Sequence, residues 1–122
     1  SEQYTQLLNQ EIQEEQSSEL MQKIKNQEII LQSAWINNIH AEIRSNWGFS
    51  GENPDWFVKV LVTQNREGKV LSVTFEEDNV GNSFKAKAFI DSIERAIYKS
   101  SPLPIAPDAS VWDKDIRFTF TP

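Results

Sequence analysis

The stretch WFVKVLVTQNREGKVLSVTF, residues 56–75, contains two β-rich runs separated by a short polar segment. Residues 56–63 alternate, so that one strand face carries Trp56, Val58, Val60 and Val62. The segment QNREG, residues 64–68, is typical of a hairpin loop, because Gly68 can adopt a left-handed conformation. Residues 69–75 return as a second strand, one face of which carries Leu71, Val73 and Phe75. The stretch predicts a β-hairpin, and the acidic and glycine-containing segment EEDNVGN, residues 76–82, is expected to form the loop after it.

Amphipathic helices are predicted on both sides of this hairpin. Before it, apolar residues recur every four positions at Leu31, Trp35, Ile39, Ile43 and Trp47. We expect Gly48, Gly51 and Pro54 to end this helix. After the hairpin, Asn82 or Ser83 can cap a second helix that runs to about residue 99. Its apolar face consists of Phe84, Ala86, Phe89, Ile90, Ile93, Ala96 and Ile97.

A third strand is predicted at the end of the chain. The segment SSPLPIAP, residues 100–107, cannot continue a helix because its prolines lack a backbone donor. In residues 115–121, Ile116, Phe118 and Phe120 point to one face and Arg117, Thr119 and Thr121 to the other. The order helix, strand, strand, helix, strand predicts an α+β fold with a three-stranded antiparallel sheet of order 2-1-3. Both helices would cover one face, which leaves the second and third strands as open edges.

The N-terminal region differs in composition from the rest of the chain. Residues 1–28 contain six Glu and two Lys, which is a net charge of −4 out of −6 for the whole chain. No Gly or Pro occurs in the first 47 residues, and Gln and Glu favour helix. We expect residues 1–30 to be the solvated end of a helical stalk and residues 31–122 to be the folded domain. Because the chain begins with Ser1, we expect it to be part of a longer protein.

An alternative for this region is self-association through Leu7, Leu8 and Ile12, which would make the chain an oligomerisation module. Apolar residues are sparse in this N-terminal region, so a monomer is the favoured interpretation.

The residues that usually carry catalysis are sparse. There is no cysteine and one histidine, His40, so neither a thiolate site nor a histidine-rich zinc site can be built. His40 lies near Ile36 and Ile43 and is interpreted as a boundary residue of a packed helix. The cluster Glu76–Asp78 lacks the spacing of a calcium loop, and no glycine-rich phosphate loop occurs. The net charge of −6 argues against nucleic acid as a partner.

We therefore predict no catalytic residue, metal or cofactor, and a protein that is not an enzyme. A small carboxylate-based hydrolase is the alternative from another class.

The open strands are the best remaining candidates for a functional site. An unpaired edge presents backbone donors and acceptors to which an extended peptide can add. The third strand is favoured over the second, because its Phe118 side is anchored while Arg117 and Thr119 face outward. The predicted site consists of Trp112, Asp115, Ile116, Arg117, Phe118, Thr119, Phe120 and Thr121.

Four segments of the chain together resemble the C-terminal domain of TolA, and more loosely that of TonB. They are AWINNIHAEIRSNW (34–47), VKVLVTQNREGKVLSVTF (58–75), SSPLPIAP (100–107) and DIRFTFTP (115–122). The resemblance covers residues 31–122, and its most specific parts are the Pro-Leu-Pro segment and the closing aromatic strand. The cysteine pair of many TolA domains is missing, and so is the Tyr-Pro of TonB-like sequences.

The resemblance implies a periplasmic domain of an inner-membrane-anchored protein with a helical stalk. TolA-like domains bind the N-terminal segment of TolB, and colicins and filamentous phage coat proteins exploit the same domain, in each case by strand addition. Inner-membrane partners would engage other regions of the parent protein. The second interpretation is a TonB-like energy transducer that binds peptides of outer-membrane transporters.

Overall fold

The computed structural model describes residues 2–48 and 53–122. Its helices are α1 (Glu2–Ser45) and α2 (Phe84–Lys99), and its strands are β1 (Val58–Gln64), β2 (Val70–Asp78) and β3 (Asp115–Phe120). A short 3₁₀ helix, Ala109–Val111, precedes β3. The three strands form an antiparallel sheet of order β2-β1-β3 with two helices against it, which confirms the predicted α+β fold and topology. The predicted helix stop at Gly51 lies outside the described residues.

The sheet presents one buried and one solvated face, as the alternating sequence predicts. Val60 of β1 lies opposite Phe75 of β2 and Phe118 of β3. Val58, Val60 and Val62 are fully buried beneath the helices, whereas Lys59 on the other face is exposed. Together with Phe89, Ile93 and Ile97 of α2, these side chains form the core.

α1 is one continuous helix of 44 residues, about 66 Å long. Its buried residues are Trp35, Ile39 and Ile43, which pack on the sheet, while nearly all of residues 2–31 are exposed. Leu31 was expected in the apolar stripe, but it is 40% exposed because it lies beyond the sheet-covering part of the helix. Trp47 packs against the core from just past the end of the helix.

α2 begins where the sequence predicted. The Ser83 hydroxyl accepts a hydrogen bond from the Ala86 amide at 3.1 Å and caps the helix. Ala86, Phe89, Ile93, Ala96 and Ile97 are buried as expected. The prediction for Phe84 is wrong, since this residue is 90% exposed. At 3.6 residues per turn, Phe84 lies about 140° around the helix from Phe89 and so points away from the sheet.

β2 departs from the prediction at both ends. Gln64 pairs with Val70 and Thr63 with Ser72, so a bulge leaves Leu71 as the extra residue. Leu71 was expected on the apolar face of this strand but is 52% exposed, and Val70 is buried in its place. At the other end, the segment expected to be a loop continues the strand to Asp78, because Lys59 and Val58 still pair with Glu77 and Asp78.

A candidate peptide-binding edge

β3 is an edge strand whose inner side is firmly anchored. It pairs with β1 from Asp115 to Phe120, and Ile116, Phe118 and Phe120 are buried. The His40 ring of α1 stacks on Phe118 at 5.6 Å between centroids and meets Phe120 edge-on at 5.3 Å. The anchoring that the sequence predicted for this strand is confirmed at all three positions.

The hydrogen-bonding direction of β3 follows from one contact at its start. The Gln64 amide donates to the Lys114 carbonyl at 3.0 Å, so these opposed residues bond to each other. Pairs alternate along an antiparallel ladder, and the register then directs the backbone groups of residues 116, 118 and 120 toward β1. The backbone groups of Arg117 and Thr119 consequently point away from the sheet.

Contacts at both ends define the length of this open edge. The Asp115 amide already donates to the Asp113 carboxylate at 3.2 Å. At the other end, Nη2 of Arg44 donates to the Thr121 carbonyl at 3.4 Å. From the Asp115 carbonyl to the Thr119 carbonyl, five outward backbone groups have no partner among the described residues: the Asp115 carbonyl and the amides and carbonyls of Arg117 and Thr119.

The side chains next to this edge are held on the solvated face of the sheet. Nε of Arg117 reaches across β1 to Oε1 of Glu76 on β2, at 3.0 Å. The Thr63 hydroxyl donates to Oδ1 of Asp115 at 2.8 Å. Exposed ion pairs of this kind contribute at most about 1 kcal/mol to stability. They nevertheless draw Arg117 over the sheet and leave its backbone accessible from the side.

Trp112 occupies a different environment from the other predicted site residues. Its indole is half-buried against the core, and the Arg66 guanidinium of the hairpin lies 4.5 Å from the ring centroid. The structure therefore places Trp112 beside the β1–β2 turn, near the start of β3.

The other sheet edge is partly covered. The Val70 amide donates to the Ser101 hydroxyl at 3.1 Å, and the Leu103 amide donates to the Gly68 carbonyl at 2.7 Å. The proline-containing segment thus crosses the start of β2 and takes up its first outward groups. Sequence reasoning missed this cover, because nothing local to residues 100–107 indicates which strand the segment meets. This cover is confined to the start of β2, whereas no comparable segment among the described residues bonds to β3 between Asp115 and Thr119.

The single histidine lies between α1 and β3. Nε2 of His40 is buried and has no hydrogen-bond partner among the described residues. Burial, and to a lesser extent the Arg44 guanidinium, lowers the pKa of His40 below its ordinary value of 6.5. The ring is therefore neutral at neutral pH and presents an apolar surface to Phe118 and Phe120.

The acidic cluster is engaged in structural contacts. Glu76 pairs with Arg117, and Oε2 of Glu77 lies 3.2 Å from Nζ of Lys59. Oδ1 of Asp78 accepts from the Val80 amide at 3.1 Å. Within residues 2–48 and 53–122, no three acidic or histidine side chains come close enough to share a metal ion. The pKa of Asp108 is lowered, because its carboxylate accepts hydrogen bonds from Ser110 at the start of the 3₁₀ helix.

The fold is that of a small α+β domain with an open sheet edge at β3. A family profile described as "TonB C terminal" matches residues 32–120, and the chain belongs to this family. A comparison with curated protein sequences gave no significant match. Domains of the family are protein-interaction domains of membrane-anchored envelope proteins and lie in the periplasm. Across residues 2–48 and 53–122, no helix combines the length and the apolar character that a membrane span requires.

Proposed function

We propose that this chain is a TolA-like periplasmic docking domain that binds the N-terminal segment of TolB by adding it as a fourth strand beside β3. The observation that supports this proposal is the row of five outward backbone groups from Asp115 to Thr119 that have no partner within residues 2–48 and 53–122. The family match supports the general role, that of a domain that binds envelope proteins or peptides. The TolA-like Pro102–Pro104 segment and closing aromatic strand support the TolA-like assignment, with TolB as the partner.

Colicins and filamentous phage coat proteins are proposed as further users of the same edge. The stalk interpretation is also part of the proposal: residues 1–30 would connect this domain to an inner-membrane anchor in the parent protein. The continuous, largely exposed first part of α1 supports it.

A second candidate function is that of a TonB-like energy transducer, and the family profile itself favours it. In that case the same edge would take a peptide from an outer-membrane transporter. The two candidates share the site and differ in the partner, so a direct comparison of the two peptides distinguishes them.

Backbone pairing alone does not account for tight binding at this edge. Five hydrogen bonds contribute roughly 1 kcal/mol each after exchange with water, about 5 kcal/mol in all. Association costs at least about 4 kcal/mol in lost translational and rotational freedom. Side chains of the partner must therefore supply most of the net affinity and all of the selectivity.

The test is an amide-shift titration by NMR with a synthetic TolB N-terminal peptide. We expect shifts along residues 115–121 and on β1, and weaker effects on β2. A Thr119→Pro variant removes one outward donor while the bonds to β1 remain, so the domain should fold and bind at least roughly fivefold less tightly. Thr119→Val keeps the donor and the branched shape, and it should bind like the wild type.

Equal affinity of a folded Thr119→Pro variant would show that β3 does not receive the peptide. Shifts confined to residues 70–75 would move the site to β2. Binding of a transporter peptide in place of the TolB peptide would assign the domain to the TonB-like function.

A further inference from the structure

α1 runs alongside β3 in the same direction. Nε2 of Gln32 donates to the Val111 carbonyl before β3 at 2.9 Å, His40 contacts Phe118 and Phe120, and Arg44 reaches the carbonyl of Thr121. Residue numbers thus increase together along the helix and the strand. The last part of α1, from Gln32 to Arg44, therefore lies alongside the whole open edge of β3.

One flank of α1 faces this edge and the opposite flank faces α2. The α2 side is marked by Asn46, whose Nδ2 donates to the Ser100 hydroxyl at 2.9 Å, and by Trp35, whose indole donates to the Pro104 carbonyl at 2.8 Å. On the β3 side lie Ile36, His40 and Arg44, which are spaced four residues apart and so form one row along the helix. We call these three residues the α1 row.

The side chains of the α1 row differ in burial and charge from one end to the other. Ile36 is half-buried and packs on the core, and His40 is half-buried with a neutral ring. Arg44 is exposed, and its guanidinium lies 5.6 Å from the Trp47 ring centroid. Arg44 has no carboxylate partner among the described residues. The row therefore changes from apolar to cationic as it follows β3 toward Thr121.

The spacing of the α1 row matches that of an added strand. Four helical residues advance about 6 Å, and every second residue of a strand advances about 6.7 Å. Successive side chains on the helix-facing side of an added strand would therefore meet successive members of the row.

Resting on the proposed function, we propose that Ile36, His40 and Arg44 select the strand that adds to β3. The preferred partner is an extended peptide that carries an apolar side chain opposite Ile36 and His40. It carries a carboxylate two residues away, opposite Arg44. The carboxylate pairs with the Arg44 guanidinium, which lies at the Thr121 end of the edge, and the apolar side chain covers the His40 ring.

The experiment uses a random nine-residue peptide library displayed on yeast and sorted against the purified chain. Wild-type protein should enrich peptides with Asp or Glu two positions from a large apolar residue. Arg44→Glu should enrich Lys or Arg at the same position instead, and Arg44→Gln should show no charge preference. Lys25→Glu is the matched control, because it makes the same charge change on the same helix about 28 Å earlier and should keep the wild-type preference.

The affinity of an enriched peptide in solution then measures how much the contact between its carboxylate and Arg44 contributes to binding. Replacing its carboxylate by an amide should weaken binding to the wild type roughly two- to fivefold and leave binding to Arg44→Gln unchanged. Circular dichroism verifies that each variant is folded.

The outcomes separate this inference from the proposed function. Peptides that bind, depend on the donor of Thr119 and show no acidic preference overturn the role of the α1 row and leave strand addition intact. A library without any Thr119-dependent peptide overturns both. An unchanged acidic preference in Arg44→Glu excludes Arg44 as the selecting residue.

Discussion

Gly68 is a point of close contact between the hairpin and the proline-containing segment. Its φ of +86° is in the left-handed region, and its carbonyl accepts from the Leu103 amide at 2.7 Å. A Cβ atom at this position would overlap the Leu103 carbonyl oxygen. The glycine that the sequence indicated for the turn therefore also permits the contact that covers β2.

Gly68→Ala should lower the free energy of unfolding by about 2–3 kcal/mol, because it adds a backbone clash to the cost of a positive φ. Gly81→Ala is the matched control: φ is +77°, but the added Cβ meets no atom within 4 Å. It should cost about 1 kcal/mol. Urea denaturation of both variants measures the difference, and equal losses would contradict the role of the Leu103 contact.

His40 should make the stability of the domain depend on pH. Its pKa in the folded state is lowered from 6.5, so the unfolded chain binds a proton first as the pH falls. The contribution of the neutral ring is fully present above about pH 6.5 and decreases as the pH falls from there toward the lower folded-state pKa.

Urea denaturation at pH 7.5 and pH 5.5 tests this dependence. The wild type should be less stable at pH 5.5, and His40→Phe, which keeps a ring and removes the titrating group, should lose most of that difference. Because the chain has one histidine, no other imidazole contributes. An identical pH dependence in the variant would show that His40 is not its source.

At the scale of elements, alternation and helical periodicity predicted the buried positions of β1, β3 and most of α2. The errors have geometric causes that a single element does not display. Leu71 is exposed because a bulge forms between two paired strands, and Phe84 because its angular position on α2 outweighs its apolar character. The α1 row was missed for the same reason: Ile36, His40 and Arg44 become neighbours of an open edge only through tertiary packing.

α1 consists of two parts with different energetic roles, and deletion should separate them. Removing residues 1–28 deletes the almost entirely exposed helical stretch 2–28 and should leave the urea midpoint unchanged while helical circular dichroism decreases. Removing residues 1–36 also deletes the Gln32 and Trp35 contacts and should cost at least about 3 kcal/mol. A large loss from the shorter deletion would mean that the exposed helix stabilises the domain.

At the scale of the whole molecule, the order of elements was sufficient to predict the 2-1-3 sheet and its two edges. It did not predict that the edges differ. Residues 101 and 103 bond to the hairpin and cover the start of β2, whereas the outward groups of β3 between Asp115 and Thr119 have no partner in the described part of the chain. This asymmetry arises from where a proline-containing segment crosses the sheet, which depends on long-range packing.

The shared direction of α1 and β3 also determines how the domain would transmit force. A pull on the N-terminal end of α1 acts roughly along the axis of β3, and therefore along any strand lying beside it. Hydrogen bonds between strands that slide past each other are loaded simultaneously, whereas bonds in strands peeled from one end break in sequence. A peptide added beside β3 would thus be loaded in shear, the arrangement in which a few weak bonds resist tension best.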